Sequence, residues 1–154
     1  GMITKIAAAN IATTGGCNMV IINGKLNNPI KNYNLNGRGT WFKASTTSLA
    51  SKKKWIAGAL SPVGTLVIDD GAERALKNGK SLLPAGVTKV IGKFVRGDTV
   101  KITGANNVEI ARGLFAYSSE DAKKIIGAKS NEIEKILGYG GREELIHRSD
   151  MVMS

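Results

Sequence analysis

The first 68 residues of this 154-residue chain contain no aspartate and no glutamate, although they carry eight lysines and arginines. The remaining residues hold the other fourteen cations and all twelve acids, so most of the formal net charge of +10 comes from the first part. A large excess of basic over acidic side chains favours phosphate-bearing partners, either nucleic acid or nucleotide. A distribution this uneven indicates two regions with different functions.

Cysteine, histidine and long apolar runs are also scarce. A single cysteine, Cys17, excludes an internal disulfide framework and favours a reducing, cytoplasmic compartment. No stretch approaches eighteen consecutive apolar residues, which excludes a membrane-spanning helix and predicts no membrane partner. The single histidine, His147, has no nearby Cys or His and no obvious nucleophile. We therefore expect a hydrogen-bonded, structural histidine and predict no metal site.

Residues 1–46 have the pattern of an incomplete α/β layer. The alanine-rich segment Thr4–Thr13 predicts a helix that ends at two glycines. The apolar run at 17–22 predicts a strand buried on both faces, in which Cys17 is inert packing. An asparagine-rich stretch that reads as a short helix or a long loop comes next, and residues 40–44 then predict a second strand.

Two strands and one or two helices leave a sheet edge and an apolar face uncovered. We therefore expect the first region to pair with another copy of the chain, as a homo-oligomer, or to fold back on the second region. The polar segment at 47–54, which ends in three consecutive lysines, predicts a linker between the two regions.

Residues 55–154 predict a β-rich domain with short helices, as in a small barrel or sandwich. Three helices are expected to begin at Asp70, after Ser118 and after Ser130, and each ends at a glycine. The pair Asp69 and Asp70 fits helix capping better than metal or acid–base chemistry. The chain as a whole is therefore predicted to be α+β, with strands at 54–60, 65–68, 87–95, 99–103, 108–117 and 145–153.

Two groups of cations are candidate binding residues. Lys5 lies in the first turn of the first helix, where exposed backbone N–H groups favour a phosphate, although a lysine there is commonly just solvated. Lys52, Lys53 and Lys54 precede Trp55, which would suit an RNA backbone and a stacked base. The same run also reads as a linker followed by a core strand, which is the interpretation we favour. The sequence contains no complete phosphate-binding glycine loop and no complete catalytic site.

Several separated motifs resemble known families. The second region resembles a PUA domain, the compact pseudo-barrel of many RNA-modifying enzymes, in the segments Asp70–Leu76, Ser81–Val87, Phe94–Val100 and Ile110–Gly113. Further segments resemble one particular family, the bacterial glutamate 5-kinases, in the C-terminal half of the enzyme. These segments are Trp55, Tyr117–Ala122, Glu132–Tyr139 and Ile146–Arg148. Residues 1–44 are similar to the end of that family's amino-acid-kinase domain, and its Gly-Met-x-Thr-Lys segment corresponds to Gly1–Lys5.

This resemblance implies a piece of an enzyme that transfers the γ-phosphate of ATP to the γ-carboxylate of L-glutamate, the first step of proline biosynthesis. It implies that the intact enzyme uses ATP and Mg²⁺. It also implies that Gly1, Met2, Thr4 and Lys5 belong to the ATP-binding site. The family's glutamate site and the rest of its nucleotide pocket come from sequence that is absent here. We therefore expect the isolated chain to be inactive, without a bound cofactor of its own, and the PUA region to serve regulation or assembly.

The alternative is an RNA-binding module of the PUA type. Its expected contacts are cations near the start of the second region: Lys52, Lys53, Lys54, Arg74, Lys77 and Lys80. Residues 69–100 carry six cations against four acids, and this small excess argues weakly against RNA.

Overall fold

The computed structural model describes residues 1–58 and 61–154 and divides the chain into two compact units, residues 1–52 and 53–154. It confirms the α+β class, with a β-rich second unit that contains short helices. The boundary between the units lies inside a helix. The finer division into residues 1–46, 47–54 and 55–154 stays a prediction.

The first unit contains two helices and a two-stranded antiparallel sheet. Its elements are α1 (Met2–Thr14), β1 (Met19–Ile22), α2 (Pro29–Asn36) and β2 (Gly39–Phe42), and β1 pairs with β2. The asparagine-rich stretch is therefore a short helix, and Pro29 stands at its first position, where a missing N–H costs nothing.

The sheet of the first unit is less buried than its sequence predicts. All four residues of β1 are only half-buried, and Cys17 is exposed and precedes the strand. The expectation of a strand buried on both faces, with Cys17 as inert packing, is therefore wrong for this chain. An unbroken apolar run indicates burial only where two layers cover the sheet.

The third helix corrects the strand predicted at 54–60. The segment assigned to the linker is helical from Ser48 onward, because α3 spans Ser48–Ala57. The strand predicted at 54–60 is therefore wrong as far as residue 58, and its residues 59 and 60 lie outside the described residues. Leucine, alanine and lysine all favour helix, and Ile56 becomes fully buried along one face.

The second unit is built on a five-stranded mixed sheet. In space the strands follow the order β4–β3–β5–β6–β7, and every pair is antiparallel except β3 with β5. Their bounds are β3 (Gly64–Ile68), β4 (Val87–Gly92), β5 (Thr99–Thr103), β6 (Glu109–Leu114) and β7 (Met151–Met153). The strand predicted at 145–153 shortens to three residues, because residues 148–150 form a 3₁₀ turn and Ile146 makes an isolated bridge with Leu82.

Side-chain caps fix where the helices of this unit begin. α4 (Asp70–Lys77) begins as predicted, and Asp69 is the member of the acidic pair that caps it, since its Oδ1 accepts from the Ala72 N–H at 2.7 Å. α5 (Ser119–Ile125) begins as predicted after Ser118, whose Oγ accepts from the Asp121 N–H at 3.1 Å. A 3₁₀ turn at Ser130–Glu132 leads into α6 (Ile133–Leu137), which ends at Gly138 in the left-handed conformation.

One continuous hydrophobic core lies between the sheet and these helices. Phe94 and Phe115 meet edge to face at its centre, with ring centroids 4.9 Å apart. The fully buried side chains around them include Leu66, Ile68, Leu76, Leu82, Val100, Ile102, Ala111, Ile125, Leu145 and Ile146.

Gly113 on β6 should not tolerate a side chain. A Cβ there would lie 2.6 Å from Ile146 Cγ2 and 3.0 Å from the Asp150 carbonyl oxygen. We expect Gly113→Ala to lower the free energy of unfolding by about 1–3 kcal/mol, because the core must shift to admit the methyl group. Urea unfolding, followed through the backbone amide signals of β5 and β6, measures this loss.

The matched control is Gly140→Ala, because the nearest atom to a Cβ there, Glu134 Oε1, is 3.9 Å away. This control should change the free energy of unfolding by less than about 0.5 kcal/mol. Equal effects of the two substitutions would contradict close packing at Gly113.

Candidate functional site

The first turn of α1 contains all four residues that the kinase resemblance implies for ATP. Gly1 precedes the helix, and the Thr4 hydroxyl donates to the Gly1 carbonyl oxygen at 2.8 Å, which closes the turn. Met2 and Lys5 are exposed, and the first turn holds no acidic residue. Exposed N–H donors beside a lysine form a local environment that stabilises an anion.

Five of the six cations named for RNA lie on two helices, and the sixth follows the second of them. Lys52, Lys53 and Lys54 are consecutive on α3, so they point in different directions around the helix instead of forming an extended stripe. Arg74 and Lys77 lie on α4, and Lys80 lies just after it. The structure thus places three of the six at one end of α4 and the other three on a different element.

Lys77 is partly neutralised, because its Nζ lies 2.7 Å from Glu73 Oε1 one helical turn earlier. Arg74 and Lys80 are exposed, and neither forms an ion pair with a described residue. These two side chains are therefore the cations of this group best able to meet a phosphate.

A groove of about 580 Å³ runs beside α4. Its walls are mainly apolar, with Leu82, Leu83 and Ala85 on the loop that follows the helix, while Lys80 and Ser81 supply polar groups. The loop reaches the helix closely at Gly86, where a Cβ would lie 2.5 Å from the Ala72 Cβ. Sequence reasoning identified the loop as a family motif but not the groove, which depends on contacts between distant segments.

The remaining candidate groups have structural roles. His147 Nδ1 accepts from the Ser149 N–H at 3.2 Å and caps the 3₁₀ turn, which confirms the predicted structural histidine. Asp69 serves as a helix cap. Within residues 1–58 and 61–154, no three His, Cys, Asp or Glu side chains are grouped so that they could hold a metal ion. No helix in this described part is long and apolar enough to cross a membrane.

Comparison with known proteins adds two kinds of similarity. The PUA domain family matches residues 64–137. Glutamate 5-kinase of Rhizobium etli is 56% identical over all 154 residues, and that of Agrobacterium fabrum is 54% identical over the same span. The chain covers 40% of each of these enzymes, so it spans less than half the length of the curated relatives it matches.

Solved structures show more distant likenesses. A PUA domain from Aeropyrum pernix, in a tartrate complex, is 25% identical with a TM-score of 0.41 and covers 56% of this chain and 44% of its own. A conserved PUA domain protein from Thermoplasma acidophilum is 18% identical with the same TM-score of 0.41 and covers 73% of this chain and 65% of its own.

The expected family relationship is confirmed by sequence identity that extends from the first residue to the last. The two regions of the chain correspond to consecutive parts of the same relatives. The chain therefore matches the C-terminal part of the glutamate 5-kinase family over its whole length, and it contains a PUA domain at residues 64–137.

Proposed function

We propose that this chain works as the C-terminal part of a glutamate 5-kinase, which transfers the γ-phosphate of ATP to the γ-carboxylate of L-glutamate. The observation that carries the proposal is 56% identity to such an enzyme across all 154 residues. In this role the first unit contributes to the nucleotide side of the kinase domain, and the PUA region serves regulation or assembly in the cytoplasm.

The proposed contribution of the first unit is electrostatic. Phosphoryl transfer depends mostly on positioning and on neutralising charge that develops on the phosphate oxygens. The N–H groups of Gly1 to Thr4 and the ammonium group of Lys5 are donors at an exposed helix start with no competing acid. Their role is to hold the ATP phosphates and stabilise the negative charge of the transferring group.

The first unit does not fit a Mg²⁺ site. Residues 1–68 contain no carboxylate, and oxygen ligands of carboxylates are what Mg²⁺ prefers. Asp69, the first acid in the chain, is used as a helix cap. We therefore assign the ligands of that ion, and the glutamate site, to the other part of the enzyme.

Uncovered apolar side chains in the first unit support a larger assembly. Ile3, Ile11 and Leu35 are 85%, 76% and 73% exposed, and leaving such side chains in water forgoes about 1.5–3 kcal/mol each. We propose that the rest of the kinase domain or a second copy of the enzyme covers them. A homo-oligomer, proposed from the unpaired sheet edge, is consistent with this exposure.

The isolated 154-residue chain should not turn over ATP with glutamate. The reason is that this chain lacks the carboxylates and the glutamate site assigned to the rest of the enzyme. Incubation with ATP, Mg²⁺ and L-glutamate, with ADP release as the readout, should give the rate of the enzyme-free blank. Glutamate-dependent ADP release by the purified chain would contradict the assignment of the Mg²⁺ ligands and the glutamate site to the rest of the enzyme.

A chimera can test Lys5 inside a whole enzyme. Residues 1–154 would replace the matching 40% of the Rhizobium etli enzyme, and the chimera should be active. Lys5→Met in that chimera should lower kcat by about 10²–10³, the effect of losing one preorganised donor to developing charge.

The control is Lys31→Met, which removes an exposed lysine of α2 and should leave kcat within about twofold, as expected for a surface charge away from the phosphates. Equal kcat in the two variants would show that Lys5 does not contribute to the nucleotide site.

A second candidate function is RNA binding by the PUA region. The observation in its favour is the groove beside α4, where Lys80, just after the helix, lines the cavity and Arg74 is exposed on α4. Phosphates would meet these cations, and an unstacked base would meet the apolar wall. This proposal does not require kinase activity.

Salt-dependent binding to tRNA tests the second function. The double variant Arg74→Gln and Lys80→Gln should bind more weakly, and the slope of log K against log salt should fall by about 1 for each lost phosphate contact. The control pair Lys123→Gln and Lys129→Gln changes the net charge equally at exposed residues that do not line the groove, and should keep the slope. Absence of tRNA binding at low salt would refute RNA binding.

A further inference from the structure

A second cavity in the PUA region, about 450 Å³ in volume, lies on a part of the surface that neither proposed function uses. Three separate segments border it: the turn between β4 and β5, the corner between β6 and α5, and the chain after α6. We call it the tyrosine pocket, and its main lining residues are Arg96, Tyr117, Asp121, Tyr139, Gly141 and Arg142.

The two tyrosines of this pocket are held by hydrogen bonds at their hydroxyl ends. The Tyr117 hydroxyl donates to the Arg142 carbonyl oxygen, and the Tyr139 hydroxyl donates to Asp121 Oδ2 at 2.9 Å. Asp121 Oδ2 also accepts from the Ser118 hydroxyl at 3.0 Å. These bonds fix two aromatic walls before any ligand arrives, and such preorganisation lowers the entropic cost of binding.

Electrostatics within the pocket agree with this geometry. Burial raises the pKa of both tyrosines, so their hydroxyls stay protonated as donors near neutral pH. The hydrogen bond from Tyr139 is the main cause that lowers the pKa of Asp121, so this carboxylate stays ionised. Since Asp121 already accepts from two hydroxyls and lies 3.5 Å from Lys124 Nζ, most of its charge is compensated inside the protein.

Glycine at position 141 allows the chain after α6 to approach the wall. A Cβ on Gly141 would lie 2.6 Å from the Tyr117 hydroxyl oxygen, so a larger residue would push this segment away. Gly140 beside it presents backbone without a side chain to the cavity. Bare backbone at a cavity wall leaves room and polar groups for a small ligand.

The positive charge left over in the pocket is that of Arg96. Arg142 pairs with Asp150 at 3.4 Å, whereas no residue in the described part of the chain forms an ion pair with Arg96. A fixed turn presents Arg96, because the Val95 N–H donates to Asp98 Oδ2 at 2.9 Å and the Gly97 N–H donates to the Phe115 carbonyl oxygen at 2.8 Å. A planar guanidinium with five free donors matches a carboxylate in two-point geometry.

We propose that the tyrosine pocket binds a small carboxylic acid, with its carboxylate on Arg96 and its body between Tyr117 and Tyr139. A cavity of about 450 Å³ is of the size that holds small molecules. The two aromatic rings and the bare backbone at Gly140 and Gly141 suit a compact organic body better than a bare inorganic ion. The site is separate from the first turn of α1 and from the groove beside α4.

Titration of the full 154-residue chain with succinate, followed by backbone amide chemical shifts, tests the proposal. Succinate should cause saturable shifts at Arg96, Ser118 and Gly140, with a dissociation constant of about 1 mM or tighter. Succinamide, which has the same shape without the charge, should cause none. Inorganic phosphate should bind at least about tenfold more weakly than succinate if the pocket selects carboxylates.

Variants separate a built site from general attraction to a basic protein. Arg96→Gln should weaken succinate binding by about tenfold or more, because it removes a charge-assisted pair. Arg148→Gln removes an exposed arginine that does not line the pocket and should leave the affinity unchanged. Amide shifts that change only near the substituted residue, around 93–98 in Arg96→Gln and around 146–150 in Arg148→Gln, show that each variant is folded.

Three results would overturn the proposal. The first is the absence of saturable shifts at the pocket with succinate. The second is equal or tighter binding of phosphate, which would make the pocket a general anion site. The third is equal weakening by Arg96→Gln and Arg148→Gln, which would trace the binding to net charge alone.

Discussion

The second unit depends on one short segment, Leu145–Ile146, which joins three parts of the chain that are distant in sequence. Both residues are fully buried. The Leu82 N–H donates to the Ile146 carbonyl oxygen at 2.9 Å, and the Ala116 N–H donates to the Leu145 carbonyl oxygen at 2.9 Å. The segment thereby fixes the loop that borders the groove beside α4 and the corner that borders the tyrosine pocket. Ile146 also packs onto Gly113 of β6. The sheet, the groove beside α4 and the tyrosine pocket are therefore all held by contacts with the same buried segment.

Sequence reasoning succeeded where the signal is local. Ser118 with Asp121 marks the start of α5, and the alternating run at 99–103 gives β5 with its observed bounds. It failed where distant contacts decide. The segment 54–60 is apolar enough for a strand, yet Ile56 is buried along a helix. Ile146 bridges to Leu82 without extending into a strand, and no local pattern contains that information.

The same difference between local and long-range signals applies to the candidate sites. Lys5 was proposed from the family resemblance and from its place in the first turn of a helix, and both signals are local in sequence. The tyrosine pocket was not, because Arg96, Tyr117 and Tyr139 come from three segments that only the tertiary fold brings together. Charge counting was informative about the first region, where no acid offsets eight cations. It was uninformative about the second, where pairs such as Lys77 with Glu73 cancel locally.

The parallel pairing of β3 with β5 places β3 inside the sheet, between β4 and β5. β3 accepts β4 on one side and β5 on the other, then β6 joins β5 and β7 joins β6. During synthesis from the N-terminus, the free edge of β5 stays unpaired until β6 emerges, and that of β6 until β7 emerges. Leu145 and Ile146, which fill the core, precede Met151–Met153 in the chain and therefore leave the ribosome before them. A nascent chain paused before these residues would present both an open β6 edge and an unfilled core, and both features favour chaperone binding and aggregation.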